Sequence, residues 1–327
     1  MPDALDARLA KLSQLAELAD PQDAVEPLRA ALKLKTNLIV AKAAEVAADL
    51  ELHALNPDLS AALAHWLDTP ADKDRRCWAK AGLAHALATN HAAGDDAESV
   101  YRRAITLQQW DPVWGSTEDS AGPVRAAAAL GLVRAGSRYS LLALADLLND
   151  HLLPVRLAAT EALGELGGEA ALALLRLRAL TDDEPEAVAA CCGVLLGIDR
   201  SDHFETVSFV TEQLKAANDE LAERLAFAIA ESRHDATLPL LRLYYHRTEN
   251  TDNHHLAATA LAVARREDTL NFLLDRAADP DTDPTHIIRA LAIHKHNPAL
   301  RQRLESAIST RSDAVAFAET LTTTFDV

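Results

Sequence analysis

The chain has 327 residues, 49% of them apolar and only 4% aromatic, and a formal charge of −17 from 49 acidic and 32 basic side chains. That balance repels phosphate backbones, and the basic stretches are no longer than pairs such as Arg75-Arg76, Arg102-Arg103 and Arg265-Arg266, so no nucleic-acid partner is expected. No uncharged apolar run reaches the roughly 18 residues of a membrane span, and Met1-Pro2-Asp3-Ala4 opens neither a basic nor an apolar leader, so neither a membrane segment nor a signal peptide is expected and the location reads as cytoplasmic.

Leu5, Leu9, Leu12 and Leu15 predict a helix over 4–19. Asp20-Pro21 closes it and starts a second, running to about Lys35, because Asp caps and Pro fits the first turn. A third helix over about 37–54 carries Val40-Ala41-Lys42-Ala43-Ala44, and Asn56-Pro57 starts a fourth with Leu59, Leu63 and Leu67. Trp78-Ala79-Lys80-Ala81-Gly82 echoes the third helix 38 residues after Val40, and a helix near 96–109 follows. Then the rhythm breaks. From Trp78 to Val124 is 46 residues, 13 beyond the spacing of 33 seen downstream. The excess, residues 108–122, reads as an inserted loop containing Trp110-Asp111-Pro112-Val113-Trp114-Gly115 and the acids Glu118 and Asp119.

After the insertion the beat is regular. Apolar anchors stand at Val124, Val155 and Val188, and extending the period adds Leu221, His254 and Ile287, with four successive gaps of 33 after Val155. Eight residues beyond three of them stand Leu163, Leu196 and Ile229, and nine beyond stand Gly164, Gly197 and Ala230, small residues for a helix end pressed on its neighbour. A Leu-rich second helix follows each anchor helix, with Leu144, Leu175, Val210, Leu241, Leu273 and Leu304 among its apolar positions. A last short helix from Ser312, carrying Val315, Phe317 and Leu321, is expected to cap the stack, and 322–327 are expected to fray. No run alternates with period two, so no strand is expected.

A fixed period of this size marks a stacked helical repeat, in which each helix pair hides its apolar stripes against the next. The segments Pro123-Val124-Arg125-Ala126-Ala127-Ala128 and Pro154-Val155-Arg156-Leu157-Ala158-Ala159, with Ala162-Leu163-Gly164-Glu165-Leu166-Gly167, resemble HEAT repeats of the short bacterial type. The resemblance implies an all-α fold: a right-handed α-solenoid of stacked antiparallel helix pairs, eight or nine in number, with second helices on the concave side. The motif's Arg is kept at Arg125 and Arg156 but becomes Ala189, Ala222, His255 and Ile288 downstream, so the later repeats are divergent. The expected organisation is one domain over 1–327: divergent repeats in 1–107, the inserted loop 108–122, regular repeats in 123–308, and a cap and tail in 309–327.

The three cysteines, Cys77, Cys191 and Cys192, have no framework spacing and suit a reducing compartment. A diiron hydroxylase on this kind of repeat ligates metal with His-Glu dipeptides, and none of the 13 histidines here is followed by Glu. Neighbouring His254 and His255 point about 100° apart on a helix. Asp279-Pro280-Asp281-Thr282-Asp283-Pro284 begins like a calcium loop, but Pro284 and Ala290 occupy the positions that need Gly and Glu, so Asp283 reads as a helix cap. Repeat-built DNA glycosylases need a basic groove that is missing here, and nothing local marks the bilin pocket of the lyases that use similar repeats. Neither a metal nor a cofactor is expected.

Two surfaces remain as candidates. In the insertion, Trp110 and Trp114 either meet a partner, with Glu118 and Asp119 facing its basic groups, or plug the junction between the two repeat blocks. On the second-helix side, Arg176, Glu212, Arg242 and Tyr245 are expected to face inward with mixed charge. The reading is a non-enzymatic protein-interaction scaffold or adaptor of a bacterial cytoplasm. Its partner is a protein, and a basic one is compatible with the charge without being demanded by it. The alternative is a bilin-lyase-like or chaperone-like protein that holds a cofactor in the concave groove.

Overall fold

The computed structural model describes residues 4–182, 184–248 and 253–325. Its contacts fall into two compact units, 1–171 and 172–327. The first holds α1 (Ala4–Leu15), α2 (Val25–Leu32), α3 (Asn37–Asp49), α4 (Asn56–Leu67), α5 (Trp78–Thr89) and α6 (Asp95–Ala104). A pair of strands follows, β1 (Trp110–Val113) and β2 (Ser116–Asp119), then α7 (Gly122–Arg134), α8 (Ser140–Leu147) and α9 (Leu153–Leu166). α3, α5, α7 and α9 pack on one another in succession, while α4 and α6 form the second row. The Ala-rich first helices allow close contact: a Cβ added at Gly82 in α5 would lie 3.1 Å from the Ala41 Cα of α3.

α10 (Gly168–Thr181) runs across the division, with Leu172 and Leu175 buried and Leu180 61% exposed, so Leu180 leaves the apolar stripe that its spacing predicts. The second unit continues with α11 (Pro185–Ile198), α12 (Thr206–Ala216), α13 (Asp219–Ser232), α14 (Thr237–Thr248), α15 (His254–Val263), α16 (Glu267–Ala278), α17 (Thr285–Leu291), α18 (Pro298–Ser309) and α19 (Ala314–Phe325). Here α11, α13, α15, α17 and α19 pack in succession.

The anchors Val124, Val155 and Ile287 are fully buried, as are Leu163, Leu196 and Ile229 eight positions on. Leu221 and His254 are only half-buried, and Ala222, Ala257 and Ala258 fill their layers instead. The polar punctuation works as capping chemistry: Asn218 and Asn297 each accept a backbone N–H two residues inside α13 and α18, and the Asp283 carboxylate accepts the Thr285 N–H at 2.9 Å. Asn56 departs from its expected role. Its amide reaches the Asn90 carbonyl of the next layer at 3.3 Å rather than capping α4.

At the C-terminal end, α19 runs to Phe325, which is buried along with Leu321, so the helix extends through most of the tail expected to fray. Val315, expected inside, is 90% exposed. Residues 326 and 327 lie outside the described residues.

Candidate functional site

The insertion is a β-hairpin, which corrects the expectation of a loop and of a fold without strands. β1 and β2 pair antiparallel with Trp110 opposite Asp119 and Val113 opposite Ser116. The two-residue connection Trp114-Gly115 closes because Gly115 takes φ +78°, a conformation that L side chains rarely adopt. Sequence periodicity misses these strands because each has four residues, and they hold a Pro and three acids in place of alternating apolar side chains.

Polar side chains tie the hairpin to the first unit. Asp111 Oδ2 accepts the Arg76 backbone N–H at 2.9 Å, Gln109 Nε2 at 2.9 Å and Ser120 Oγ at 2.5 Å. Gln109 Oε1 accepts from Lys80 Nζ at 2.9 Å, and Lys80 Nζ lies 3.3 Å from Asp74 Oδ2 with both side chains out of solvent. Asp74 also receives the N–H groups of Ala79 and Lys80, which caps α5 after a turn where Arg76 and Cys77 have φ of 60° and 53°. On the other side, Asp119 accepts the N–H groups of Gln109 and Ala121 and pairs with Arg125 at 2.8 Å. Arg125 also forks onto Asp150 at 2.8 and 3.0 Å and donates to the Leu107 carbonyl at 2.7 Å.

These partners set the titration of the cluster. Burial pushes the Asp111 carboxyl up, but donors from Ser120, Gln109 and Arg76 together with the Lys80 charge outweigh it and hold the group below the usual range. Asp119 follows the same balance: burial raises it, and the Gln109 and Ala121 N–H groups and Arg125 carry it below. Cys77 goes the other way. Burial pushes its thiol up to about 11 despite the Ser120 contact, so it is a poor nucleophile at neutral pH.

The expected site residues separate in this arrangement. Trp114 projects from the hairpin tip at 104% exposure. Trp110 is half-exposed, its ring stacked on His151 at 5.8 Å and 20°. Glu118 is exposed. Asp119 is a correction: it is buried, and the basic group it meets is the chain's own Arg125. Neither indole is buried, whereas Gln109, Asp111 and Asp119 are, and hydrogen bonds tie these three to the first unit.

On the second helices, Arg176 lies 4.5 Å above the Phe209 ring, Arg242 lies 5.2 Å above Phe272, and Glu212 pairs with Lys215 at 2.9 Å. Tyr245, expected to face a groove, is fully buried instead, with its ring on His254 at 4.3 Å and its hydroxyl 3.3 Å from His286 Nε2. His254 turns toward this cluster while His255 is exposed, as their angular separation requires. The four residues do not form one site.

Two apolar clefts flank Pro123 and Ala126 beside the hairpin. One, of about 520 Å³, is lined by Pro112, Val113, Leu152, Pro154 and Val155, with Arg76 and Glu118 among its charged groups. The other, of about 540 Å³, is lined by Trp78, Gly82, His85 and Leu130. Sequence reasoning missed Asp74, Lys80, Gln109, Asp150 and His151. Lys80 stands inside the Trp78–Gly82 echo, but nothing in that echo marks it as a buried cation, whereas the kept motif Arg at 125 is a usable signal for its carboxylate partners. Among the described residues, no group of three or more His, Cys, Asp or Glu side chains is placed to hold a metal ion, and no helix is long and apolar enough to cross a membrane.

Residues 114–195 match the family model of HEAT repeats. Among solved structures, the chain is similar to an engineered protein at 16% identity and a TM-score of 0.41, covering 97% of this chain and 88% of that one. It is also similar to human deoxyhypusine hydroxylase in complex with glycerol, at 18% identity and a TM-score of 0.30, covering 94% of this chain and 91% of that one. No curated protein matches it. The family match covers the hairpin tip, α7 to α10 and most of α11, so HEAT repeats are shown for that span of a chain built of stacked helix pairs.

Proposed function

We propose that the protein is a non-enzymatic binding scaffold whose contact element is the hairpin between α6 and α7. The observation that carries this reading is Trp114, fully exposed at the tip of a hairpin whose base is fixed by buried ion pairs. A tryptophan left in water forgoes the stabilisation of burying a large aromatic surface, and the same surface is a favoured interface anchor. Fixing the base limits the ordering cost that a mobile loop incurs on binding. The buried polar groups Asp111, Gln109 and Asp119 are engaged with one another and with the first unit, which leaves Trp114 as the large apolar side chain that the hairpin tip presents to solvent. Three buried thiols without disulfides support a reducing compartment such as the cytoplasm.

The test is capture from a lysate of the native host with the full chain and with Trp114→Ala as baits. The expected result is a protein retained by the native chain and lost from the variant at an unchanged melting temperature. Identical capture by both baits would count against the hairpin as the contact.

A further inference from the structure

We infer that the occupant of the hairpin surface is a second copy of this chain, docked about a two-fold axis so that Trp114 of each copy enters the 520 Å³ cleft of the other. This rests on the hairpin being a contact element and names what it contacts.

The first argument is that projection and cavity adjoin, because the hairpin that carries the one forms a wall of the other. Trp114 stands at the tip, and its chain neighbours Pro112 and Val113 form one wall of the cleft, which Leu152, Pro154 and Val155 close. A two-fold interface requires a surface that complements itself, with each copy offering both the inserted group and its receptor. A projecting ring beside an apolar cleft that the same hairpin walls together with α7 and α9 meets that requirement. The cleft lies within the range of roughly 300–1,000 Å³ typical of ligand pockets, so it has room for an indole ring.

The second argument is charge. Arg76 and Glu118 both line the cleft, and neither forms an ion pair with another described residue. The other carboxylates in the lining, Asp111 and Asp119, are buried in internal contacts. The open charge of the cleft is therefore one cation and one anion. Across a two-fold axis Arg76 of each copy meets Glu118 of the other, and both charges are matched. A strongly basic partner would leave Arg76 opposed by like charge. The overall charge of −17 repels a second copy at long range, but salt at physiological strength screens that field beyond about 8 Å, and the patch itself is neutral.

The third argument is continuity. The neighbouring cleft shares Pro123 and Ala126 with the first and carries the half-exposed Trp78, so apolar surface extends from Leu152 to Trp78. That gives the contact a breadth that one inserted ring lacks.

The experiment is sedimentation velocity of the full chain from about 1 to 100 μM at 0.15 M salt, a range that spans typical weak-to-moderate homodimers. The native chain is expected to move from 35.2 kDa toward twice that mass. Trp114→Ala, at a fully exposed position, is expected to weaken association at least tenfold with the melting temperature unchanged. Arg76→Glu and Glu118→Arg are each expected to weaken it, and the double reversal to restore it to within about threefold, an outcome a folding defect would not produce.

A chain that stays monomeric throughout, or a dimer indifferent to Trp114→Ala, or two reversals that fail to rescue each other, overturns the inference. A monomer that still captures another protein through Trp114 overturns it and leaves the hairpin as a contact element. A monomer whose lysate capture also ignores Trp114 removes both.

Discussion

Arg125 of α7 and Asp119 at the end of β2 lie 2.8 Å apart, with 3% and 0% of their side chains exposed. Asp150, before α9, holds the other edge of the same guanidinium at 2.8 Å. One arginine thus joins the hairpin to two successive layers of the first unit. The pair is fully desolvated, so the two charges depend on each other far more than a surface pair does.

Replacing Arg125 by Leu leaves two carboxylates buried without their cation, and the expected cost is about 3–5 kcal/mol. Arg125→Lys should recover only part of it, because an ammonium cannot fork between Asp119 and Asp150 while also donating to the Leu107 carbonyl. Urea unfolding of the three proteins measures this. A loss below about 1 kcal/mol for Arg125→Leu would place the pair among surface-like contacts and refute its bracing role.

The same carboxylates predict acid sensitivity. Asp111 and Asp119 are held below their ordinary values in the folded chain. A depressed acid contributes stability that is complete above its unfolded value, about 3.9, and is lost as pH falls through the folded value. The hairpin region should therefore loosen only below about pH 4, with Trp110 fluorescence shifting before the helical circular dichroism does. Asp119→Asn should be less stable at neutral pH and flatter across the acid limb. An acid limb of the same slope in the variant would refute the assignment.

The repeat and its layers were legible in the sequence because burying an apolar stripe on every layer forces a recurring pattern, seen in Val155, Leu163, Leu196 and Ile229. The hairpin was legible only as a break in that pattern. Its strands are held by Asp111, Gln109 and Asp119 through hydrogen bonds with residues up to 35 positions away, and such contacts have no period to read. Tyr245 was misplaced for a related reason. At helical spacing it fits either the groove side or the interior, and its aromatic neighbours His254, Phe272 and His286 come from other helices. Trp114 and Glu118 stand exposed, while Asp119 was drawn inward by an arginine that the motif itself supplies.

Two glycines of α11 should respond to alanine with opposite signs. A Cβ at Gly193 would lie 3.2 Å from both the Cβ and the carbonyl oxygen of Ala228 in α13, and a helix backbone has little room to give. Alanine gains up to about 1 kcal/mol of helix propensity over glycine, and overpacking costs about 1–3 kcal/mol, so Gly193→Ala should destabilise on balance. At Gly197 an added Cβ meets nothing within 4 Å, which shows that no close neighbour requires a small residue there. Gly197→Ala should stabilise by about 0.5–1 kcal/mol. Thermal melts of the two variants decide it, and a shift of the same sign in both would be inconsistent with the α11–α13 spacing.

His286 should set a second pH dependence, in a milder range. Burial pushes its imidazole down to about 4, with neighbouring His254 adding to the effect, Asp283 opposing it, and His255 and Arg276 contributing further. Its Nε2 faces the Tyr245 hydroxyl at 3.3 Å, and its ring lies 4.4 Å from that of His254. The unfolded chain binds this proton near pH 6.5, whereas the folded chain resists it until about pH 4. Stability from this group is therefore complete above pH 6.5, declines as pH falls through the interval, and levels off below about 4. The urea midpoint of the native chain should drop across that interval more steeply than that of His286→Gln, which cannot titrate there. Parallel slopes in the two proteins would show that the Tyr245–His254–His286 cluster opens before it is charged.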